Sequence, residues 1–264
     1  MQVNWKLNSI QDPFDRYSRQ LKLLGKDGQE KLKKSTVFIG GIGGLGGTAA
    51  VYLAAAGVGK LIIAHEGVIV LPDLNRQILM DNEKLGEERI SCAIESLKRI
   101  NPEVEVEGYA ERIEFHKAKP WVEKSDIVID ARYDFPERYD LNRLSVACGK
   151  PMVEAAMYGF ELSLMTVIPG ETACLACIYP EQKQDWEPLG FPVLGATSGV
   201  AGCLAAIEVI KLITGIAPPF INKLYRLNTL TLEPYTVSLK RNSECTHCKG
   251  VERREKEHEY RAAT

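Results

Sequence analysis

Four cysteines stand in two C-x-x-C pairs, Cys174/Cys177 and Cys245/Cys248, with 67 residues between them. Two such knuckles can supply four thiolates at the corners of a tetrahedron, for which Zn²⁺ is the usual occupant. An all-sulfur set leaves no open coordination position, so the expected role is structural: a clip between the C-terminal strands and the middle of the chain. The alternatives are two unrelated surface pairs or one redox C-x-x-C. A thioredoxin-type motif needs a helix N-terminus near a βαβ unit, and neither pair sits in that setting. A second constellation lies near the start. The apolar run Ser35-Thr36-Val37-Phe38-Ile39 leads into a glycine-rich turn and then the small, apolar stretch Thr48 to Ala56. Gly41, Gly43 and Gly46 form G-x-G-x-x-G in the strand–turn–helix setting that the motif requires. Such a turn lets backbone approach a phosphate, and the helix N-terminus offers unpaired N–H groups. The bland alternative is a turn needed only for close helix–strand packing.

These groups need elements to position them, and the chain supplies an alternation. Strands are expected at 36–40, 60–64, 104–109, 126–130 and 151–155, and helices at 46–56, 86–100, 117–124 and 136–148, after a polar helical lead-in over 15–33. Asn101-Pro102 is a helix-stop signal, and the irregular, charged stretch 65–82 suits a ligand loop. Beyond 155 the pattern changes to a strand at 160–168, a Pro/Gly-punctuated loop at 178–195, an apolar helix at 197–214 and strands near 223–228 and 233–240. The expected fold class is α/β: a Rossmann-like, mostly parallel sheet with crossover helices, plus C-terminal antiparallel strands clipped by the four-cysteine zinc site.

At 264 residues the chain can bury one large core. A net charge of −2 gives no global basic field for nucleic acid. No apolar run is read as reaching the roughly 18 residues of a membrane span, and the opening residues are polar rather than signal-like. Seven cysteines, four in metal spacing, suit a reducing cytoplasm better than a disulfide framework. Cys92, Cys148 and Cys203 fall in helical patterns as small hydrophobes.

Several motifs, in order, resemble the E1-like adenylyltransferases, the MoeB/ThiF/HesA branch related to the ubiquitin-activating core. They are Arg16-Tyr17-Ser18-Arg19-Gln20, Gly41 to Gly46, Ala54 to Gly59, Leu74-Asn75-Arg76-Gln77, Arg138 with Leu141-Asn142, and the two knuckles. The resemblance implies one adenylation domain over 1–248. Its nucleotide-binding part spans about 30–155, its acceptor and zinc part about 156–248, and a charged tail follows at 249–264. It implies ATP and Mg²⁺ as reaction partners, and a homodimer in which Arg19 reaches across to the partner's ATP site. Gly41, Gly43 and Gly46 would lie against phosphates. Arg76 would hold the triphosphate, with Asn75 and Gln77 hydrogen-bonding nearby, and Arg89 stands at the position of a family lysine. The usual ribose-binding acid is replaced by His65, with Glu66 one residue on as its candidate substitute. The usual magnesium aspartate is replaced by Tyr133, which leaves Asp130 or Asp134 as candidate metal ligands or Arg132 as a replacement charge. The asparagine that opens the family's N-L-x-R-Q is replaced by Asp73.

The implied chemistry is activation of a carboxylate as an acyl-adenylate. Family acceptors are usually the C-terminal Gly-Gly of a ubiquitin-like sulfur carrier. The stretch Ile178 to Ala196 holds no cysteine for a thioester relay. Tyr179, Trp186, Leu189, Phe191 and Pro192, with Ala155 to Phe160, could line an apolar pocket for a ring-bearing small acid, or simply cover the sheet edge. A small carboxylate in cofactor biosynthesis is therefore the expected acceptor. The E1-like enzyme of the iron–guanylylpyridinol pathway is one relative of that kind. A nucleotide-holding protein without chemistry and a zinc-stabilised scaffold are the other two readings.

Overall fold

The structure is a computed structural model that describes residues 15–180 and 190–252. Helix α1 (Leu21–Lys34), bent at Gly25, precedes the first unit, β1 (Thr36–Gly40), α2 (Gly44–Ala56) and β2 (Lys60–Ala64). Next come α3 (Arg89–Ile100), β3 (Glu105–Tyr109), α4 (Phe115–Glu123), β4 (Ile127–Asp130) and α5 (Phe135–Cys148). The chain ends with β5 (Met152–Tyr158), β6 (Glu161–Val167), α6 (Leu175–Ile178), α7 (Gly195–Thr214), β7 (Lys223–Asn228) and β8 (Glu233–Ser238).

All eight strands form one sheet in the order β3-β2-β1-β4-β5-β6-β7-β8. Pairings from β3 through β5 are parallel, and those from β5 through β8 are antiparallel. The expected class holds. The central strands are buried on both faces, as a sheet covered by crossover helices demands, so β1 and β4 are almost continuously apolar. Ile39 and Ile129 face a core built with α2, α3 and α7, while Phe38 and Val128 face one built with α4, α5 and the cysteine cluster. Strand order reverses at β1, which has β2 on one side and β4 on the other. In open α/β sheets that switch point is where ligands bind, at the carboxyl ends of the strands.

Two expectations needed revision. Strands 151–155 and 160–168 are one tight hairpin, because β5 continues to Tyr158 and turns through Gly159-Phe160 with Gly159 at φ +59°. Secondly, α7 is long and apolar enough by length and composition to cross a membrane, with a mean hydropathy of 1.6 over its best window. It serves as a core helix: Ala201, Ala205, Ala206 and Val209 are buried, and Glu208 is held inside by Thr166 Oγ1 and the Phe220 N–H.

Candidate functional site

The glycine turn sits at the switch point. Gly41 adopts φ +99°, and a Cβ on Gly46 would lie 1.8 Å from the Gly41 carbonyl oxygen. The turn therefore closes onto α2 only with glycine at that position, which satisfies the packing role and leaves Gly43 and Gly44 lining a cavity of about 800 Å³. A Cβ on Gly44 would meet Ser198 Oγ of α7 at 2.3 Å. Ser198 Oγ, Gln77 Oε1 and Arg89 Nε are buried with no hydrogen-bond partner among the described residues, and all three residues line the cavity. Buried polar atoms are rarely left unpaired, so these are groups a polar ligand would satisfy.

His65 stands at the end of β2, where its Nδ1 accepts the Ile42 N–H at 2.9 Å. Burial first, then the charges of Arg132, Arg89 and Arg76, holds its pKa well below the ordinary histidine value. The ring is therefore neutral, with its proton on Nε2. It ties down the glycine turn and presents a donor where the family's acid would present an acceptor. Glu66 lines the cavity beside it, 3.7 Å from Arg112.

Asp73 organises the cationic wall. Its carboxylate accepts from Arg89 Nη2 at 2.6 Å, from Gln77 Nε2 at 2.8 Å and, at 3.4 Å, from Arg76 Nη2. Arg76 also donates to the Pro72 carbonyl and Asn75 Oδ1, and Arg89 donates to the Glu66 carbonyl. Two planar guanidinium forks are thus pre-set at the cavity edge, where they suit phosphate oxygens. Asp73 ends a short 3₁₀ turn (Leu71–Asp73), with Arg76 and Gln77 three and four residues on; that spacing could have signalled the cluster, but the aspartate's place as its hub was missed.

Asp130 and Asp134 stand behind the wall and do not line the cavity. Asp130 is fully buried, accepting Arg138 Nε at 3.0 Å and the Arg132 N–H. Arg138, which does line the cavity, also bonds Glu154 Oε1. Burial pushes Glu154 up to about 7, against the pull of Arg138. Asp134 pairs with Arg112 through Oδ2, and Arg132 pairs with Glu137. Among the described residues the carboxylates near the cavity thus already hold guanidinium partners or, for Glu161, the Asn228 amide. Asp134 Oδ1 and Glu154 Oε2 are left without a partner, but no group of three carboxylates converges there among the described residues.

Next to Arg132, whose guanidinium stands 5.2 Å over the Tyr133 ring, three rings stand roughly parallel. Tyr133 and Phe191 are 6.3 Å apart and Phe191 and Tyr158 6.5 Å. With Ala155, Ala156 and Met157 they form an apolar wall. Tyr179 packs instead on Phe135, and Trp186 and Leu189 lie outside the described residues. Arg19 is exposed and remote from the cavity. Its neighbour Gln20 bonds the Ala56 carbonyl, at the end of α2 opposite the glycine turn. Sequence reasoning missed Ser198 and Arg226 because they come from elements far along the chain.

The four cysteines do converge. Sγ–Sγ distances are 3.8 Å for Cys174–Cys177, 3.6 Å for Cys174–Cys245 and 3.5 Å for Cys177–Cys248. All four sulfurs lie within 4.8 Å of one another. These are edges a tetrahedron with Zn–S of about 2.3 Å requires, so the donors fit structural zinc. The Asn242 N–H donates to Cys177 Sγ, and Asn142 spans the Leu175 N–H and His247 Nδ1 behind the cluster.

A glycine turn at the switch point of a 3-2-1-4-5 sheet, a cationic wall beside it and a four-cysteine clip define an E1-like α/β enzyme. The chain belongs to the ThiF family, whose sequence model matches residues 17–248. It is 46% identical over 237 residues to Protein HesA of Leptolyngbya boryana, covering 89% of this chain and 85% of that one. It is 35% identical to the sulfur carrier protein ThiS adenylyltransferase of Escherichia coli, over 90% of this chain and 96% of that one. It is 34% identical to the SAMP-activating enzyme E1 of Haloferax volcanii, over 89% and 88%. The fold is that of E. coli MccB, whose ATP complex superposes with a TM-score of 0.77 at 24% identity, covering 89% of this chain and 74% of that one.

Proposed function

We propose that this E1-like adenylyltransferase uses ATP to activate a terminal carboxylate. A carboxylate oxygen forms a bond to the α-phosphorus, the bond from that phosphorus to the β-bridging oxygen breaks, and pyrophosphate leaves. The observation that carries the reading is the fork pair Arg76/Arg89, locked by Asp73 beside the glycine turn. An acid and a triphosphate repel each other, so the site must supply fixed positive charge before the reactants meet. Arg76, Arg89, Arg132 and Arg138 all line the cavity and supply it. Gly43 and Gly44 admit phosphate to the backbone, Gly41 and Gly46 close the turn behind them, and Gln77 and Ser198 donate or accept around it, with Asn75 holding Arg76 from outside the cavity. Asp130 is held by Arg138 and Asp134 by Arg112, so of the two only Asp134, through its unpartnered Oδ1, would be placed to help hold the Mg²⁺ of ATP, which would supply positive charge beside the phosphates.

For the acceptor we favour a small-molecule carboxylate, of which the pyridinol acids of cofactor assembly are one kind. The wall of Tyr133, Phe191 and Tyr158 supports this, as it suits an apolar or ring-bearing acid. A second reading has its own observation: the cavity runs past the β5–β6 hairpin onto β7, long enough for an extended carrier tail. The relatives named for ThiS and SAMP act on such carriers. The working unit we propose is a homodimer, with Arg19 completing the partner's site.

The test is pyrophosphate–ATP exchange with small aromatic carboxylates and with a Gly-Gly carrier. Arg76→Ala is expected to weaken ATP binding by on the order of 1.5–3 kcal/mol. ATP binding without exchange for any acceptor would return the nucleotide-holding reading. No ATP binding would return the scaffold.

A further inference from the structure

Five arginines line the cavity, and four of them have carboxylate partners. Arg76 and Arg89 share Asp73, Arg132 has Glu137, and Arg138 has Asp130 and Glu154. Arg226 has none among the described residues. Its Nε is buried without a hydrogen-bond partner, and its guanidinium stands 5.8 Å over the Tyr235 ring. Two acids flank it diagonally in the sheet, Glu161 and Glu233, both opposite Asn228; Glu161 accepts from Asn228 at 2.7 Å instead, and neither forms an ion pair with Arg226. Arginine cannot shed its proton, so a guanidinium half out of water and unpaired is a site awaiting an anion.

Register fixes where this cation stands. Ala156 of β5 pairs with Ser163 of β6, Ser163 with Arg226 of β7, and Arg226 with Tyr235 of β8. Ala156, Ser163 and Arg226 therefore form one row across the cavity floor, and all three line it. From β4, where Arg132 leaves the sheet, to β7 is three strand steps, about 14 Å at the usual spacing. No group at the glycine turn can serve Arg226 over that distance. A molecule with one end at the arginine wall and an anionic group further along can.

We propose that Arg226 is the recognition residue for a second carboxylate in the acceptor, separate from the one that is adenylated. This rests on the adenylation reading only for the role of the first carboxylate. The shared chemistry is a molecule with two acids about three strand spacings apart. It is met either by an acidic side chain three or four residues before the end of an extended peptide, at about 3.3 Å per residue, or by a long dicarboxylic acid. The small side chains of Ala156 and Ser163 leave the floor clear between the two ends.

Calorimetry on the full chain tests it with two sets of probes: octapeptides ending in Gly-Gly with glutamate or glutamine fourth from the end, and α,ω-dicarboxylates against monocarboxylates of equal length. The wild type is expected to bind the two-acid member of at least one pair ten-fold or more tightly. Arg226→Gln abolishes that preference, Arg226→Lys keeps part of it, and ATP affinity and unfolding midpoint stay unchanged. Which set shows the preference identifies the source. Equal binding of acidic and neutral probes, a preference that survives in Arg226→Gln, or no binding of any acidic probe overturns the proposal. Pyrophosphate release, measured in parallel, keeps the two readings apart. Release that ignores Arg226 and the second acid sinks only this proposal. An Arg226-dependent preference without release sinks only adenylation.

Discussion

Arg138 serves two carboxylates at once, Asp130 through Nε and Glu154 through Nη2, and all three groups are buried. One guanidinium cannot neutralise two acids out of water, so the pair keeps a proton to higher pH than free carboxylates do. Burial raises the pKa values of both, Glu154 from 4.5 to about 7. The sign follows from linkage. Above the unfolded pKa and below the folded one, the native state binds more protons than the unfolded chain, so this stability is present at low pH and lost as pH rises through about 7. Glu154→Gln mimics the protonated acid at every pH. The difference in unfolding midpoint, variant minus wild type, is expected to grow from pH 5 to pH 8. A difference that stays flat over that range would remove Glu154 as the titrating group. Arg138 reaches the cavity, so the same proton sets how firmly that arm is held beside the reacting groups.

At the scale of elements, the weakest-anchored piece is the β7–β8 hairpin. Every residue of β8 is exposed, so burial of apolar surface holds it poorly. The cysteine cluster supplies the missing constraint, joining α6 to the segment after β8, and Arg241 adds bonds to the Gly170 and Val251 carbonyls. Freshly purified protein is expected to carry about one zinc per chain, since structural sites fold around their metal. Cys245→Ser should lower the unfolding midpoint by several degrees and speed amide exchange in β7 and β8, with ATP affinity little changed. Metal-free protein with four freely titrating thiols at full stability would contradict this.

At the scale of the molecule, Arg19 cannot serve the site of its own chain. It lies by the C-terminal end of α2, about 20 Å along that helix from the glycine turn. Leu23 is 73% exposed, and Tyr52 and Ile207 on the adjoining α2 and α7 are more than half exposed. Apolar side chains left in water on three neighbouring helices are the mark of an association surface. Sedimentation is expected to show a dimer. Arg19→Ala and Gly43→Val chains, each inactive, should recover activity on mixing, because one composite site in each mixed dimer keeps both groups. A monomer with full activity would end the arrangement.

Residue spacing alone carried the alternating α/β core, the glycine turn and the four-cysteine clip, because each rests on local rules: hydrophobic period, strand–turn–helix context, ligand spacing. The Gly159-Phe160 turn was legible too, as a two-residue hairpin loop beginning with glycine, and was passed over. The functions of the acids were beyond the sequence. Asp130, Asp134 and Asp73 look alike in a string of letters, and what each does depends on which arginine the fold brings to it. Ser198 and Arg226 come from α7 and β7, and only the sheet order places them in the cavity. Local chemistry is written in neighbouring residues, whereas charge pairing and cavity shape are decided by contacts distant in the chain, which exist only once the sheet has formed.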